Sequence, residues 1–178
     1  MNNIVLCGFM GCGKSTVGKN IARKSGRKFL DMDSYIEEKA GMTVSKIFEK
    51  YGEEKFRDME HDACVELAGL EGLVIASGGG AFTFKRNVEA FKGKDKIVFL
   101  DVPLGIIKSR LKNDTTRPLL QRPDRDRVMK DLYDSRYPIY HAAADIVVKG
   151  KNTPLKTASQ TARRSRKSSR SASPEVTR

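Results

Sequence analysis

A chain of 178 residues with 39% apolar side chains can fill one packed core but not two. Its formal charge of +12 is uneven: Lys151, Lys156, Arg163, Arg164, Arg166, Lys167, Arg170 and Arg178 against Glu175 give +7 to residues 151–178 and leave +5 for the rest. That excess suits anionic small ligands and supports nucleic-acid binding only weakly, since Trp is absent and the 7% of aromatics form no base-stacking stripe.

The apolar runs Leu73–Ala76 and Ile97–Leu100 are far too short to cross a bilayer. Met1–Cys7 is apolar but has no charged leader before it and runs into glycines, so a cytoplasmic protein is expected. Cys7, Cys12 and Cys64 match no metal-ligand spacing and read as free thiols, with Cys12 open to alkylation inside its glycine loop. His61 and His141 are isolated and are not expected to bind metal.

In chain order, Ile4–Cys7 predicts a buried strand. Ser15–Lys24 predicts a helix with Val17, Ile21 and Ala22 on one face, stopped by Gly26. Lys28–Asp31 is a second strand, ending in Asp31-Met32-Asp33. A short helix over Thr43–Tyr51 precedes a longer one over Glu54–Leu70, where Phe56, Met59, Ala63, Leu67 and Leu70 recur at three and four. Leu73–Ala76 is a strand feeding Gly78, Gly79 and Gly80. Lys96–Asp101 is a strand, Leu104–Leu111 a helix, Lys112–Asp126 an exposed polar loop, Arg127–Tyr137 a helix and Asp145–Val148 the last strand. Buried strands separated by helices imply an α/β domain with a five-stranded parallel sheet, wound on both faces. Residues 158–178 are mostly Ser, Thr, Arg and Ala with one valine and no aromatic residue, a composition expected to be disordered.

The strongest chemical signal is Gly8-Phe9-Met10-Gly11-Cys12-Gly13-Lys14-Ser15, a Gly-x4-Gly-Lys-Ser phosphate loop between a strand and a helix. Backbone N–H groups of Gly11, Cys12, Gly13 and the residues after them, Ser15 and Thr16, can wrap phosphates at the positive end of the helix dipole. Lys14 would reach the β- and γ-phosphates and the Ser15 hydroxyl would bind Mg2+. No Asn/Thr-Lys-x-Asp motif for reading guanine occurs, which argues against a GTPase. Asp31 and Asp33, two apart at a strand's end, would share one face at the ligand-binding edge of the sheet. Arg57 and Glu60 lie three apart on one helix and can pair. The glycine triplet would allow close backbone approach by a ligand. Arg117 belongs to the polar loop, and Arg136 is read as the end of the next helix.

Taken together, these residues resemble shikimate kinase. Gly8–Thr16 is similar to that family's phosphate loop and Asp31-Met32-Asp33 to its Asp-x-Asp. Phe56-Arg57-Asp58-Met59-Glu60 matches its Phe-Arg-x-x-Glu, and Ser77-Gly78-Gly79-Gly80 its glycine turn. Arg117-Pro118-Leu119-Leu120 resembles its lid, and Arg136-Tyr137-Pro138-Ile139-Tyr140 with Ala144-Asp145 the segment closing its substrate site. The resemblance covers residues 1–157. It implies a nucleoside-monophosphate-kinase-like fold with a substrate subdomain near residues 33–60 and a lid near 112–126. It also implies transfer of phosphate from ATP, with Mg2+, to the 3-hydroxyl of shikimate in aromatic amino-acid synthesis.

On that resemblance Arg57 and Arg136 would clamp the shikimate carboxylate, Asp33 would hold the reacting hydroxyl as the candidate base, and Gly79 and Gly80 would approach the ring. Asp31 would act on the metal through water, Arg117 would arrive with the lid as a catalytic cation, and Arg110 and Pro154 would sandwich adenine. A monomer is expected. The chain departs from the family where an amphipathic C-terminal helix is usual, because Thr161–Arg178 has no apolar face. The nearest rival reading is another metabolite kinase, such as gluconate kinase. A nucleic-acid-binding protein gripping phosphates with its basic tail is the rival from a different class.

Overall fold

The computed structural model describes residues 2–114 and 118–150. Arg117, Pro154 and the 158–178 segment lie outside these residues. Five strands, β1 (Ile4–Cys7), β2 (Lys28–Asp31), β3 (Leu73–Ala76), β4 (Lys96–Asp101) and β5 (Ile146–Lys149), form one sheet in the order β2-β3-β1-β4-β5. Every pairing is parallel. The helices are α1 (Lys14–Ser25), α2 (Met32–Ala40), α3 (Val44–Ala68), α4 (Lys85–Phe91), α5 (Leu104–Leu111) and α6 (Arg125–Ala143).

The hydrophobic pattern explains this arrangement. All residues of β1 and β3 are buried, as expected of central parallel strands covered on both faces, whereas β2 and β5 at the edges are only partly buried. Helix α1 buries Val17, Ile21 and Ala22, the face anticipated from sequence, and the N–H of its cap Gly26 donates to the Ala22 carbonyl. Gly18 fixes how closely α1 lies on β2, since a Cβ there would stand 2.5 Å from the Phe29 ring. At the far end of the sheet, buried Asn3 receives Leu73 N–H at 3.0 Å and donates to the Leu70 carbonyl at 2.9 Å, tying β1 to the start of β3.

Several sequence expectations change. Helix α2 was not anticipated: Asp31 ends β2 and caps α2, accepting from Asp33 N–H at 3.2 Å, so Asp33 sits in a helical first turn and not on the strand. Their shared location arises from the cap, not from strand alternation. The two helices expected over 43–70 run as α3, broken in conformation at Gly52 (φ 80°, ψ 176°). Leu70 lies beyond that helix and is half exposed, so it does not belong to the apolar face. Helix α4 was also missed. The polar loop is shorter than expected, because Pro118–Gln121 form a 3-10 turn that buries Leu120 and α6 begins at Arg125. Pro138 does not end α6, which continues to Ala143, so Arg136 is a mid-helix residue.

Candidate active site

The carboxyl ends of β1, β2 and β3 lie side by side, with Asp31 and Leu6 both paired to Ala76. These ends deliver the phosphate loop, the Asp31–Asp33 pair and the glycine triplet to one edge, the place where open parallel sheets bind ligands. A cavity of about 860 Å³ opens there, its walls including Lys14, Ser15, Asp31, Asp33, Arg57, Glu60, Gly79, Gly80 and Arg136. Gly11, Gly13 and Thr16 line the same space.

The phosphate loop turns on glycine conformations. Gly13, with φ 99°, precedes α1 and accepts Val17 N–H at 2.9 Å; a side chain at this φ would be strained. Lys14 Nζ donates to the carbonyls of Gly8 at 2.9 Å and Phe9 at 3.3 Å, which holds the ammonium on the loop. Ser15 Oγ donates to Asp31 Oδ2 at 2.6 Å. Arg110 donates to the carbonyls of Gly11 (3.3 Å) and Cys12 (3.1 Å), which places it against the outside of the loop. Cys12 is only 3% exposed, so alkylation, anticipated from its place in the loop, has no access. Burial also raises the Cys7 thiol pKa far above its usual value and pushes the Cys64 thiol up to about 12.

Arg57 and Glu60 are not the surface pair that i,i+3 spacing most often produces. Arg57 Nη1 donates to Glu60 Oε2 at 2.6 Å, and the Glu60 side chain is 1% exposed. Burial holds the Glu60 carboxyl above the ordinary glutamate range, against the pull of Arg57. Burial also opposes the Arg57 charge, but bonds to Glu60 and Glu53 outweigh it and its pKa is raised. The guanidinium carbon lies 5.3 Å from the ring centroids of Phe56 and Phe84 and 6.0 Å from that of Phe48. Glu53, one helical turn before Arg57, receives its Nη2 at 2.8 Å. The roles of Glu53, Phe48 and Phe84 were missed from sequence. Only the i,i+4 spacing of Glu53 and Arg57 signalled any of them.

The glycine triplet needs no left-handed backbone, since Gly78, Gly79 and Gly80 all have ordinary φ. Space is the constraint. A Cβ on Gly78 would fall 2.7 Å from Asp33 Oδ1 and 2.8 Å from Glu60 Oε1, and one on Gly80 would fall 2.9 Å from Arg57 Nη1. At Gly79 the nearest atoms, of Met10, are at 3.8 Å, an ordinary contact. Arg136 reaches this turn from α6, donating to the Gly79 carbonyl at 3.3 Å.

Of the residues expected to form a site, the structure gathers Lys14, Ser15, Asp31, Asp33, Arg57, Gly79, Gly80 and Arg136 around one cavity and sets Arg110 beside the phosphate loop. The shikimate kinase family model matches residues 10–166. This chain belongs to the shikimate kinase family. A shikimate kinase of Sulfurihydrogenibium sp. is 44% identical over 154 residues, covering 86% of this chain and 92% of that relative. The solved shikimate kinase of Acinetobacter baumannii in complex with shikimate is 36% identical with a TM-score of 0.86, covering 99% of this chain and 96% of that one. A gluconokinase from Sinorhizobium meliloti, at 16% identity and a TM-score of 0.58 over 97% of this chain and 98% of its own, shares the fold alone. Membership of the family makes the protein an ATP-dependent kinase of the shikimate pathway that works with Mg2+.

Hard oxygen ligands fit that metal. Ser15 Oγ donates to Asp31 Oδ2 at 2.6 Å, so two oxygen ligands already stand together. A sparse protein contribution is what Mg2+ takes where phosphate oxygens and water complete its shell. His61 instead pairs with Asn87, at 3.0 Å. No described helix is long and apolar enough to cross a membrane.

Proposed function

We propose that the cavity binds shikimate beside the phosphates of ATP and that the residues around it move the γ-phosphoryl group to the substrate's 3-hydroxyl. The observation that carries this reading is the convergence of two guanidinium groups, Arg57 and Arg136, with the Asp33 carboxylate on the cavity that holds Lys14 and Ser15. Guanidinium forks match a carboxylate. Asp33 accepts the proton of the attacking hydroxyl as its oxygen bonds to phosphorus and the bond to the departing ADP oxygen breaks.

Lys14 neutralises charge on the β- and γ-phosphates, and Arg117 adds a cation to the transferring group. Gly79 and Gly80 let the substrate ring approach the backbone. The backbone of Gly11, Cys12, Gly13, Ser15 and Thr16 cradles the phosphates, with adenine held between Arg110 and Pro154. Ser15 and, through water, Asp31 would hold Mg2+, which would supply positive charge against the phosphate oxygens.

Coupled-assay turnover of ATP against shikimate, gluconate and nucleoside monophosphates tests the reading. Turnover with shikimate alone is expected, and a preference for gluconate would overturn it.

The reading extends to a monomeric enzyme of the cytoplasm; three free thiols, at Cys7, Cys12 and Cys64, support the reducing compartment. Sedimentation and cell fractionation test both points. The arginines of residues 158–178 would confer weak, salt-sensitive binding to polyanions, measured by comparing the full chain with one ending at Thr157 on a heparin column.

A further inference from the structure

The carbonyls of the glycine turn are not all held in the same way. Gly78 O accepts from Ala81 N–H at 3.3 Å and from Ser77 Oγ at 3.2 Å. Gly80 O accepts from Thr83 N–H at 3.0 Å and Thr83 Oγ1 at 2.6 Å. Ala81 O accepts from Phe84 N–H at 3.3 Å and Asn87 Nδ2 at 2.9 Å. These partners all belong to the segment 77–87. Gly79 O is different: it accepts from α6, from Arg136 Nη1 and from the Tyr140 hydroxyl.

Tyr140 stands one helical turn after Arg136, on the same face of α6. It is 1% exposed and its ring lies 5.6 Å from that of Phe99. Burial raises its phenol pKa to about 12, so the hydroxyl is a neutral donor throughout the working range of pH. Pro138, two residues earlier, lies within the helix without ending it.

We propose that Tyr140 is a positioning residue for the substrate site, acting through the Gly79 carbonyl. The Gly79–Gly80 peptide is trans, so its N–H points opposite to its C=O. Anchoring the carbonyl to α6 therefore sets the direction of the Gly80 N–H, on a residue that lines the cavity. The same bond takes one of the carbonyl's two lone pairs. The longer contact from Arg136, at 3.3 Å, leaves that guanidinium available to an incoming carboxylate. Without the phenol, the Gly79 carbonyl is left to Arg136, and the turn and the arginine both lose their setting. The effect on ligand rests on the reading that shikimate occupies this cavity.

The test compares Tyr140→Phe with Tyr133→Phe, which removes another phenol-to-carbonyl bond from the same helix, the 3.1 Å contact to Val102 O. Each keeps its ring. Tyr140→Phe should raise the calorimetric Kd for shikimate about fivefold, the worth of one hydrogen bond, and leave the Kd for ATP and the kcat near those of the parent. Tyr133→Phe should leave the shikimate Kd unchanged. Combined with Arg136→Ala, the effect of Tyr140→Phe should be non-additive, because both residues serve one acceptor.

Amide exchange followed by mass spectrometry, without substrate, should quicken at residues 78–81 in Tyr140→Phe and not in Tyr133→Phe. Unchanged shikimate affinity, additive losses, or equal exchange in the two variants would each overturn the role. A parent that fails to turn over shikimate would remove the substrate reading instead, and the exchange comparison would still judge the tyrosine.

Discussion

Ser15 and Asp31 are sixteen residues apart in sequence, yet the serine hydroxyl donates to the aspartate at 2.6 Å. One residue opens the helix behind the phosphate loop and the other caps the helix after the next strand. Their contact joins the nucleotide side of the cavity to the side that carries Asp33. Ser15→Ala and Asp31→Asn should therefore both raise the Mg2+ concentration needed for half-maximal turnover, with the shikimate Kd unchanged. A magnesium titration that superimposes on the parent's would remove the metal role.

Lys14→Ala should leave the melting curve close to the parent's, because the ammonium's bonds are to carbonyls of its own loop. Turnover should fall by at least about 10²–10³-fold, as when a charge-stabilising donor is deleted. Near-parental turnover would refute the phosphate-loop mechanism.

Arg57→Ala and Arg136→Ala should each weaken shikimate binding by about 2–5 kcal/mol, the usual loss on truncating one partner of a buried charged pair, with ATP binding little affected. Arg57→Ala should also lower stability, since it strips buried Glu60 of its 2.6 Å partner. Parental shikimate titrations from both variants would rule out the clamp.

Asp33→Asn keeps shape and removes charge. It should lower kcat by about 10²–10⁴-fold, the range for a general base, while KM for shikimate moves far less. If KM rises and kcat holds, the carboxylate positions substrate without taking its proton.

The glycine turn separates packing from ligand approach. Gly78→Ala should destabilise the protein by about 1–3 kcal/mol, because its Cβ would press on Asp33 and Glu60 at 2.7 and 2.8 Å. Gly79→Ala meets nothing closer than 3.8 Å and has an ordinary φ, so it should melt like the parent while losing shikimate affinity. Equal thermal stability in the two variants would contradict the spacing argument.

Much of this was legible in the sequence because the phosphate loop, the Asp31–Asp33 pair and the glycine triplet sit where strand periodicity ends. The five strands follow from apolar runs, and the phosphate loop follows from its glycines and lysine. What could not be read depended on the third dimension. Helix α2 has too weak an apolar face to announce itself, burying only Met32 and Ile36. The last helix was expected to end at Tyr137, whereas α6 carries Pro138 and runs on to Ala143. The pairing of Glu60 with Arg57 was legible but its burial was not, because nothing in i,i+3 spacing says that a glycine turn will cover it. Tyr140 entered only as part of a motif, and its partner could not be read because it is a backbone carbonyl far away in sequence.

The break in α3 has an evolutionary consequence. Gly52 holds a φ of 80° and a ψ of 176°, a conformation essentially reserved for glycine, with open space where a side chain would stand. Val44, Ser45 and Phe48, before the break, line one wall of the cavity, while Phe56, Arg57 and Glu60, after it, form another. In a continuous helix Phe48 and Phe56, eight residues apart, would stand about 12 Å from each other along the axis. The break folds the two stretches together, with those ring centroids at 4.6 Å and the Phe48 ring 6.0 Å from the Arg57 guanidinium carbon. A substitution at Phe48 therefore reaches the arginine as well, so selection has to vary the two stretches together.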